Sequence, residues 1–580
     1  MLIDIAKTIL FFPFTALQTI CRYPPFRVLF GFFFLVAIAD FSVLGLYSSP
    51  LYFIGVPISL AGMIWCWNLK KKEIETGEEG CDLGVGINIY NPEKPTKQRI
   101  LLQDKVLKLG FLGLGAPGSG KTVSLAVAML KYFFVDYFQR TKEKLGGIFG
   151  DGKGDKEVFQ FATAVGATFD LFFSSELPNT NTNYMNLFDG TSKDVLDTWT
   201  TILIPEGTNE YYGNKQKRAL QVSIPLLKET AKALGVSCSL RDLYAVMKTE
   251  RAPMEVITLA RSAGVSSTII EPADSYFKED FEKRIEAVDG MLNKLYAFVY
   301  GEENDRINAY APDIVLFDLV QNNQSLYLHL PYSKYARDLN FAICETLTAI
   351  SRWRQNHDKE RRQFPVVMDD YGGMFYPELP KATARWRASG MSVFLMFQDK
   401  GQPDEISTTF TDQLDGTVPT KIMLRTTGDM TANWASRMFG TYDSLNYSVT
   451  DKADNSFDGQ NIGSTALPRV KPEEFKSLHD GEAFISTTIK KDAGKIEQIF
   501  SKVRFPLLQP PEGVNPADID WPVCEYGDVG KGIDLWNKYI ISAEKIAVSE
   551  PESAPMESRK GNESFSDEIL ADLDEEFDQF

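Results

Sequence analysis

The segment from Gly115 to Thr122, Gly-Ala-Pro-Gly-Ser-Gly-Lys-Thr, constrains the fold of this chain more than any other. It fits the phosphate-binding loop pattern G-x-x-x-x-G-K-[ST] at every fixed position. The apolar run Val106–Leu114 before it predicts a buried strand, and Val123–Phe134 after it predicts a helix. A strand, a glycine loop and a helix in this order favour phosphate binding over a simple glycine-rich turn.

The loop predicts a site for a nucleoside triphosphate. Its glycines let backbone N–H groups close around phosphates, and the N-terminus of the following helix adds partial positive charge. We expect Lys121 to reach the β- and γ-phosphates and the Thr122 hydroxyl to bind Mg²⁺, so the predicted cofactors are ATP and Mg²⁺. The predicted nucleotide-binding residues are Gly115, Ala116, Pro117, Gly118, Ser119, Gly120, Lys121 and Thr122.

A second apolar strand, within Gln363–Asp370, ends in the carboxylates Asp369 and Asp370. We expect Asp369 to hold Mg²⁺, partly through water, and Asp370 to orient or deprotonate the attacking water. Many strands end in acids, so the pair alone is a weak signal. Combined with the phosphate loop it predicts the second half of an ATP site.

Two further polar side chains complete the predicted site. Gln398 follows the strand Ser392–Phe397, where it can sense the γ-phosphate or merely cap the strand. Arg387, like Arg385, precedes that strand and is a candidate to neutralise transition-state charge in a neighbouring subunit. Ordinary surface salt bridges are the alternative for both arginines. The predicted catalytic residues are Lys121, Asp369, Asp370, Gln398 and Arg387.

The acidity of the chain is concentrated at one end. The net charge of the 580 residues is −17, but the segment 549–580 alone holds eleven acidic residues against Arg559 and Lys560. The charge therefore does not exclude DNA as a partner, although any contact must be a local basic patch or pore lining. Six scattered cysteines and three histidines without metal-binding spacing indicate a reducing compartment and argue against zinc chemistry.

Two apolar spans near the N-terminus, 28–47 and 51–69, are long enough to cross a hydrocarbon core of about 30 Å. Basic residues precede the first span and follow the second, which predicts a membrane hairpin with both ends in the cytoplasm. A buried helical hairpin of a soluble domain is the alternative. Residues 1–20 are weakly amphipathic and predict an uncleaved interfacial helix, with a cleaved signal peptide as the alternative.

The rest of the chain alternates predicted strands and helices around a helical insertion, which favours a parallel α/β sheet. Ile314–Val320 and Ser325–Leu330 look like paired strands. The predicted domains are 1–72 for the interfacial helix and transmembrane hairpin, 73–191 and 306–548 for the two parts of the nucleotide-binding domain, 192–305 for an all-α insertion, and 549–580 for a disordered acidic tail.

These features together resemble a known family. A membrane hairpin, a phosphate loop, a Gly-rich turn within Gly146–Asp155, a helical insertion and a strand with paired acids are similar to the type IV secretion coupling proteins. These TraD/TraG-like conjugation ATPases are relatives of the FtsK/HerA DNA pumps. The likeness runs from about residue 28 to about residue 505, and weaker similarities support it at Arg387–Met391, Lys421–Gly440 and Pro472–Ile485.

The resemblance implies a RecA-like P-loop domain, a homo-hexameric ring and a multi-pass location in the bacterial inner membrane, with the bulk of the chain in the cytoplasm. ATP hydrolysis would drive DNA, with its attached relaxase, into a conjugation channel. The implied partners are single- or double-stranded DNA bound without sequence preference, relaxase and relaxosome proteins or secretion adaptors, type IV secretion inner-membrane components, and the lipid bilayer.

The chain departs from the family at the second acid, where Asp370 stands in place of the usual Glu. Asp is one methylene shorter, so we expect slower water activation or an adjusted backbone. Two other functions stay open beside the DNA translocase, and the shorter acid bears on the second. One is a receptor ATPase for protein effectors, and the other is an ATP-binding scaffold with weak hydrolysis. Asp151 and Lys153 face either the nucleotide or the pore.

The acidic tail has an apolar face of its own. Phe565, Ile569, Leu573 and Phe577 recur every four residues and would align on one side of a helix. Such an element suits folding onto a basic groove of a relaxosome protein or a substrate adaptor. A purely solvating acidic tail is the alternative.

Overall fold

The computed structural model describes residues 80–87, 95–205, 207–358, 360–451, 457–490, 496–506, 508–524 and 530–542. The predicted spans 28–47 and 51–69, the interfacial helix and the acidic tail lie outside the described residues. Within the described ranges, no helix combines the length and hydropathy needed to cross a membrane. This finding contradicts the predicted multi-pass location in the bacterial inner membrane, which is therefore not supported.

The two longest described helices show the physical reason. Glu210–Leu234 has 25 residues and Lys334–His357 has 24, and a span needs about 20. Each carries charged side chains along its length and buries one face against protein. A helix with one polar and one apolar face is built to pack on a protein core.

Strands of the described residues form one eleven-stranded sheet and a separate hairpin. The strands are β1 Gly80–Ile87, β2 Pro95–Gln103, β3 Phe111–Leu114, β4 Gly147–Asp151, β5 Leu171–Ser174, β6 Ser325–His329, β7 Phe364–Asp369, β8 Met391–Phe397, β9 Thr420–Met423, β10 Thr441–Asp451, β11 Phe457–Pro468, β12 Glu482–Lys490 and β13 Ile496–Arg504.

The helices surround this sheet and form the insertion between β5 and β6. They are α1 Asp104–Leu107, α2 121–141, α3 Lys156–Ala164, α4 Ser192–Leu203, α5 Glu210–Leu234, α6 Leu240–Lys248, α7 Arg251–Ser262, α8 Ser267–Phe277, α9 Phe281–Tyr296, α10 Leu316–Gln321, α11 Lys334–His357, α12 Leu379–Ala388, α13 Gly401–Asp404, α14 Thr408–Thr417, α15 Asp429–Phe439, α16 Pro472–Lys476 and α17 Asn537–Ile541.

The sheet is mixed rather than parallel throughout. Its order is β2-β1-β13-β12-β9-β3-β8-β7-β4-β6-β5. From β9 to β5 every neighbouring pair is parallel, whereas β12, β13, β1 and β2 add antiparallel strands beyond β9. The expectation of a parallel α/β sheet therefore holds for the centre, and the fold class is a mixed α/β sheet flanked by helices.

Both faces of the central strands are covered. All residues of β3, β4, β6, β7 and β8 are buried, as parallel strands between two helical layers require. Alternate residues of β8 enter opposite cores: Val393 and Leu395 join the core containing α11, whereas Phe394 and Met396 join the core containing α2. The phosphate loop therefore precedes a helix held against a rigid sheet.

One predicted strand is a helix. Leu316–Gln321 forms α10, which buries Leu316, Leu319 and Val320. These residues have the i, i+3, i+4 spacing of a helical face, and a short apolar run does not distinguish a helix from a strand. Only Ile314, before the helix, forms an isolated bridge, with Met185. The predicted pairing with the next strand was wrong for this reason.

The helical insertion is built around one helix. Of the seven described α-helices between β5 and β6, α4 to α9 form the insertion, and α5 packs against each of the other five. Helix α4 also contacts α11, which joins the insertion to the sheet layer. The insertion is all-helical, and its buried residues continue into the core that contains α11. Its exact domain bounds stay a prediction.

The last described segment, 530–542, packs on the insertion, although the sequence placed it with the nucleotide-binding domain. Its Leu535 N–H donates to the carboxylate of Asp242 at 2.8 Å. The same buried carboxylate accepts from the Ser239 N–H at 2.8 Å and from the Tyr310 hydroxyl at 3.0 Å. Asp242 thus joins three segments that are distant in sequence.

Replacing Asp242 by Ala should loosen this junction. The buried donors of Leu535, Ser239 and Tyr310 would lose their acceptor, at a cost of about 3 kcal/mol in unfolding free energy. Urea denaturation and faster hydrogen exchange of the Leu535 amide measure the effect. Glu286→Ala, at an exposed position of α9, is the control. Equal stability of the two variants would contradict the role of Asp242.

Candidate functional site

The loop 115–122 has a backbone that only glycine adopts easily at two positions. Gly118 has φ of 75° and Gly120 has φ of 88°, both in the left-handed region. A Cβ added at Gly115 would lie 2.4 Å from the Ser119 Oγ. The glycines of the pattern therefore follow from the conformation of the loop and from the space around it.

Backbone hydrogen bonds fix the loop between two strand ends. The Gly115 N–H donates to the Phe397 carbonyl at 3.2 Å, at the end of β8. The Ala116 N–H donates to the Arg425 carbonyl at 2.8 Å, just beyond β9. Because β3 lies between these two strands, the loop rises from the middle of the parallel sheet.

Three of the predicted catalytic side chains meet beside the loop. The Lys121 Nζ donates to the Asp370 Oδ1 at 2.9 Å, and the Gln398 Nε2 donates to the same oxygen at 3.0 Å. Burial raises the pKa of Asp370, but the charge of Lys121 and these two hydrogen bonds outweigh it, and the net pKa is lowered. Asp370 is therefore ionised at neutral pH.

The backbone at Asp370 has an uncommon conformation for a residue with a side chain. Its φ is 49° and its ψ is 43°, a left-handed conformation that few residues other than Gly, Asn and Asp adopt. This conformation ends β7 and starts the helical turn Tyr371–Met374. It occurs where the side chain reaches Lys121 and Gln398, and backbone strain of this kind clusters at functional sites.

Asp369 has the properties of a metal ligand. Its side chain is buried, and no described residue donates a hydrogen bond to its Oδ1. Burial raises its pKa, while the charge of Lys121 and the hydroxyl of Thr122 act in the opposite direction. An orphaned carboxylate oxygen beside a hydroxyl fits Mg²⁺, which prefers oxygen ligands.

Asp151 lies next to Asp369 across the parallel pair β4 and β7. Burial and the charge of Asp369 raise the pKa of Asp151 to about 7, against hydrogen bonds from Gly154, Lys153 and Tyr327. Those three donors occupy its carboxylate. The Lys153 side chain instead is exposed and pairs with Asp155 at 2.7 Å.

A buried histidine extends this polar row, and the sequence reading assigned it no role. The Nε2 of His329 lies 3.1 Å from the Gly154 carbonyl oxygen, which can only accept, so this nitrogen carries the proton. The Nδ1 then accepts from the Ser174 hydroxyl at 2.8 Å. Burial lowers the pKa of His329, which keeps it neutral. Through its hydrogen bond to Gly154, the histidine thereby stabilises the turn that follows Asp151.

Arg387 lies away from the other predicted catalytic residues. Its Nη1 donates to the Thr417 carbonyl at 2.8 Å, beside the amino end of β8. Seven residues of extended strand, about 23 Å, separate that end from Gln398. Arg387 is therefore not part of the site of its own chain. Its predicted contact with a neighbouring subunit stays a prediction.

Arg425 is a residue near the loop that the sequence reading did not single out. Its Nη2 lies 2.9 Å from the Asp480 Oδ1 and 3.4 Å from the Gly118 carbonyl oxygen. The available signal was its place two residues beyond the end of β9, because polar residues after parallel strands gather at one sheet edge.

Comparison with known families gives one match. A family model described as the TraM recognition site of TraD and TraG matches residues 366–480. This segment contains Asp369, Asp370, Gln398 and Arg425. The resemblance to type IV secretion coupling proteins is confirmed. No curated protein matches the chain.

Solved structures with similar folds include the plasmid coupling protein TrwB. Its complex with ADP and Mg²⁺ is 14% identical, with a TM-score of 0.50, over 78% of this chain and 94% of that chain. Its complex with the non-hydrolysable analogue ADPNP is also 14% identical, with a TM-score of 0.50, over 76% and 92%. VirB4 of Thermoanaerobacter pseudethanolicus is 13% identical, with a TM-score of 0.43, over 75% and 98%.

The TrwB complexes show the shared fold. The nucleotides and Mg²⁺ bound in these complexes agree with the predicted cofactors, ATP and Mg²⁺. The matched family is consistent with a relaxosome partner.

The lowered pKa of Asp370 predicts a pH-dependent contribution to stability. Its stabilising interaction is complete above the pKa of the unfolded chain, about 4, and is lost as the pH falls through the lower folded value. Asp370→Asn keeps a side chain that tolerates the left-handed backbone. It should cost about 1 to 2 kcal/mol at pH 7.

Urea unfolding of both proteins at pH 7 and pH 3 measures this difference. The gap between wild type and Asp370→Asn should shrink at pH 3. A gap that stays constant would show that the ionised carboxylate is not what stabilises the site.

Proposed function

We propose that this chain is an ATPase of the conjugative coupling type, with a RecA-like P-loop domain. It couples ATP hydrolysis to the recruitment and translocation of DNA with its relaxase into a type IV secretion channel. The observation that carries the proposal is the meeting of Lys121, Asp370 and Gln398 beside a phosphate loop, within and next to the segment that matches the coupling-protein family.

Lys121 has two alternative partners in this scheme. In the structure its ammonium group is held by Asp370 at 2.9 Å and is largely buried. Phosphate oxygens carry more negative charge than one carboxylate and lie where the loop amides point, so Lys121 transfers to the β- and γ-phosphates when ATP binds. The pair with Asp370 keeps the lysine oriented toward the loop before that step.

Thr122 and Asp369 would hold Mg²⁺. Among the described residues no group of three or more His, Cys, Asp or Glu side chains can hold a metal ion. The ion would therefore depend on Thr122, on the orphaned oxygen of Asp369, and on phosphate and water oxygens. Bound Mg²⁺ would neutralise charge on the phosphates during hydrolysis.

Asp370 orients the attacking water. While it is paired with Lys121 its pKa is lowered, which makes it a weak base. When Lys121 moves to the phosphates, the carboxylate loses that positive neighbour and becomes more basic. Gln398 keeps its hydrogen bond to Asp370. From that position it would sense the γ-phosphate.

Assembly and cargo complete the proposal. A homo-hexamer would bring an arginine, with Arg387 as the candidate, to the site of the neighbouring subunit. DNA would be bound without sequence preference, and the partners would be relaxase, other relaxosome proteins or adaptors, and inner-membrane components of the secretion channel. The match to a TraM recognition site supports a relaxosome partner.

ATP hydrolysis by the full chain tests the site. Lys121→Ala and Asp369→Asn should each lower kcat by about 100-fold or more, because each removes charge stabilisation in the transition state. Phosphate release with Mg²⁺ is the measurement. Lys144→Ala is the matched control, since Lys144 is an exposed lysine that pairs with Asp170 before the amino end of β4.

The same assay with DNA separates the open functions. A translocase of DNA should hydrolyse ATP faster when single- or double-stranded DNA is added. Hydrolysis without any DNA stimulation would favour the receptor ATPase for protein effectors. Binding of ATP with no measurable hydrolysis in the wild type would favour the scaffold. Asp370 in place of the family's usual Glu would then explain the lack of hydrolysis.

A further inference from the structure

The phosphate loop has a second flank, on the side of β9, whose residues have no part in the proposed hydrolysis. Strand β3 lies between β8 and β9. Lys121, Asp370 and Gln398 occupy the side of β7 and β8. On the side of β9 lie Arg425 and the turn that contains Asp480.

The backbone on this flank is fixed to the loop at two points. The Ala116 N–H donates to the Arg425 carbonyl at 2.8 Å, and the Gly481 N–H donates to the Ser119 carbonyl at 3.0 Å. These hydrogen bonds therefore hold the backbone at Arg425 and next to Asp480 against the loop. Their positions relative to bound phosphates are set by the sheet.

The guanidinium of Arg425 lies across the tip of the loop. A Cβ added at Gly118 would have the Arg425 Nη2 as its nearest neighbour, at 3.9 Å. Apart from the chain neighbours of Gly118, no other described heavy atom lies within 4 Å of that added Cβ. The 3.4 Å approach to the Gly118 carbonyl is long, so this carbonyl does not hold the guanidinium firmly.

The ion pair that holds Arg425 is weak. The Arg425 side chain is 33% exposed and the Asp480 side chain is 67% exposed. Exposed pairs of this kind contribute little, since water competes for both charges. A phosphate chain offers several negative oxygens in the fork geometry that a guanidinium binds best, so it can displace Asp480.

We propose that Arg425 binds the diphosphate part of the nucleotide, and that Asp480 holds its guanidinium when no phosphate is bound. The γ-phosphate lies toward Asp370 and Gln398, so the opposite flank faces the α- and β-phosphates. The inference rests on the proposed function, because it requires that the loop binds a nucleotide. It adds a binding residue and a nucleotide-sensitive contact between the loop and the turn before β12.

Isothermal titration of the full chain with ADP and with ADPNP, both with Mg²⁺, tests the assignment. Arg425→Ala should weaken both nucleotides by the same factor, about tenfold, because the diphosphate is common to them. Arg425→Lys should recover part of the loss, since it keeps the charge without the fork. Gln398→Ala, on the γ-phosphate flank, should weaken ADPNP only.

Asp480→Asn should change the nucleotide affinity in the opposite direction. Removing the competing carboxylate should tighten both nucleotides by about twofold, as expected for a weak exposed pair. A merely structural role of the ion pair predicts the reverse. Arg352→Ala is the matched control, because Arg352 forms a similarly exposed pair with Asp197 at 3.1 Å on α11 and α4.

Three results would overturn the inference: unchanged affinity in Arg425→Ala, a loss confined to ADPNP, or weaker binding in Asp480→Asn. If Arg425→Ala does not fold, Arg425→Lys and Asp480→Asn decide the question by the same criteria. Failure of the proposed function looks different. In that case the wild type does not bind ADP, or Lys121→Ala binds both nucleotides as well as the wild type does.

Discussion

The parallel register of β3, β8 and β7 is the constraint on which the site depends. Leu114 pairs with Phe397, and Met368 pairs with Leu395, so these strands end at one edge of the sheet. The residue after each strand then emerges beside its neighbours, which is where ligands bind in open α/β sheets. Backbone hydrogen bonds, rather than side-chain contacts, thus bring the phosphate loop to the acids.

The pair of Lys121 and Asp370 shows how the nucleotide-free site stays intact. A buried lysine without a partner would be costly, and so would a largely buried carboxylate. Each provides the other's counter-charge, and the left-handed backbone of Asp370 makes their contact possible. With this conformation the Asp370 side chain contacts Lys121 and Gln398, although Asp stands where the family usually has Glu.

Local sequence patterns predicted much of the fold. The glycine pattern placed the loop, since Gly118 and Gly120 need positive φ, and continuous apolar runs placed β7 and β8, since both faces of these strands are buried. Prediction failed where the signal was ambiguous or distant. Leu316–Gln321 is an apolar run that suits a strand or a helix. The antiparallel strands beyond β9 depend on pairing between residues 80–103 and 482–504, which no local pattern encodes.

The sequence alone was sufficient for the phosphate loop, the paired acids and the helical insertion, because each has a local pattern of residue types. Tertiary structure was required to show that Asp151 stands between Asp369 and His329, that Arg387 lies at the opposite edge, and that Arg425 flanks the loop. These relations depend on which strands are neighbours. Strand order is set by the packing of the whole sheet, and a single sequence does not record it.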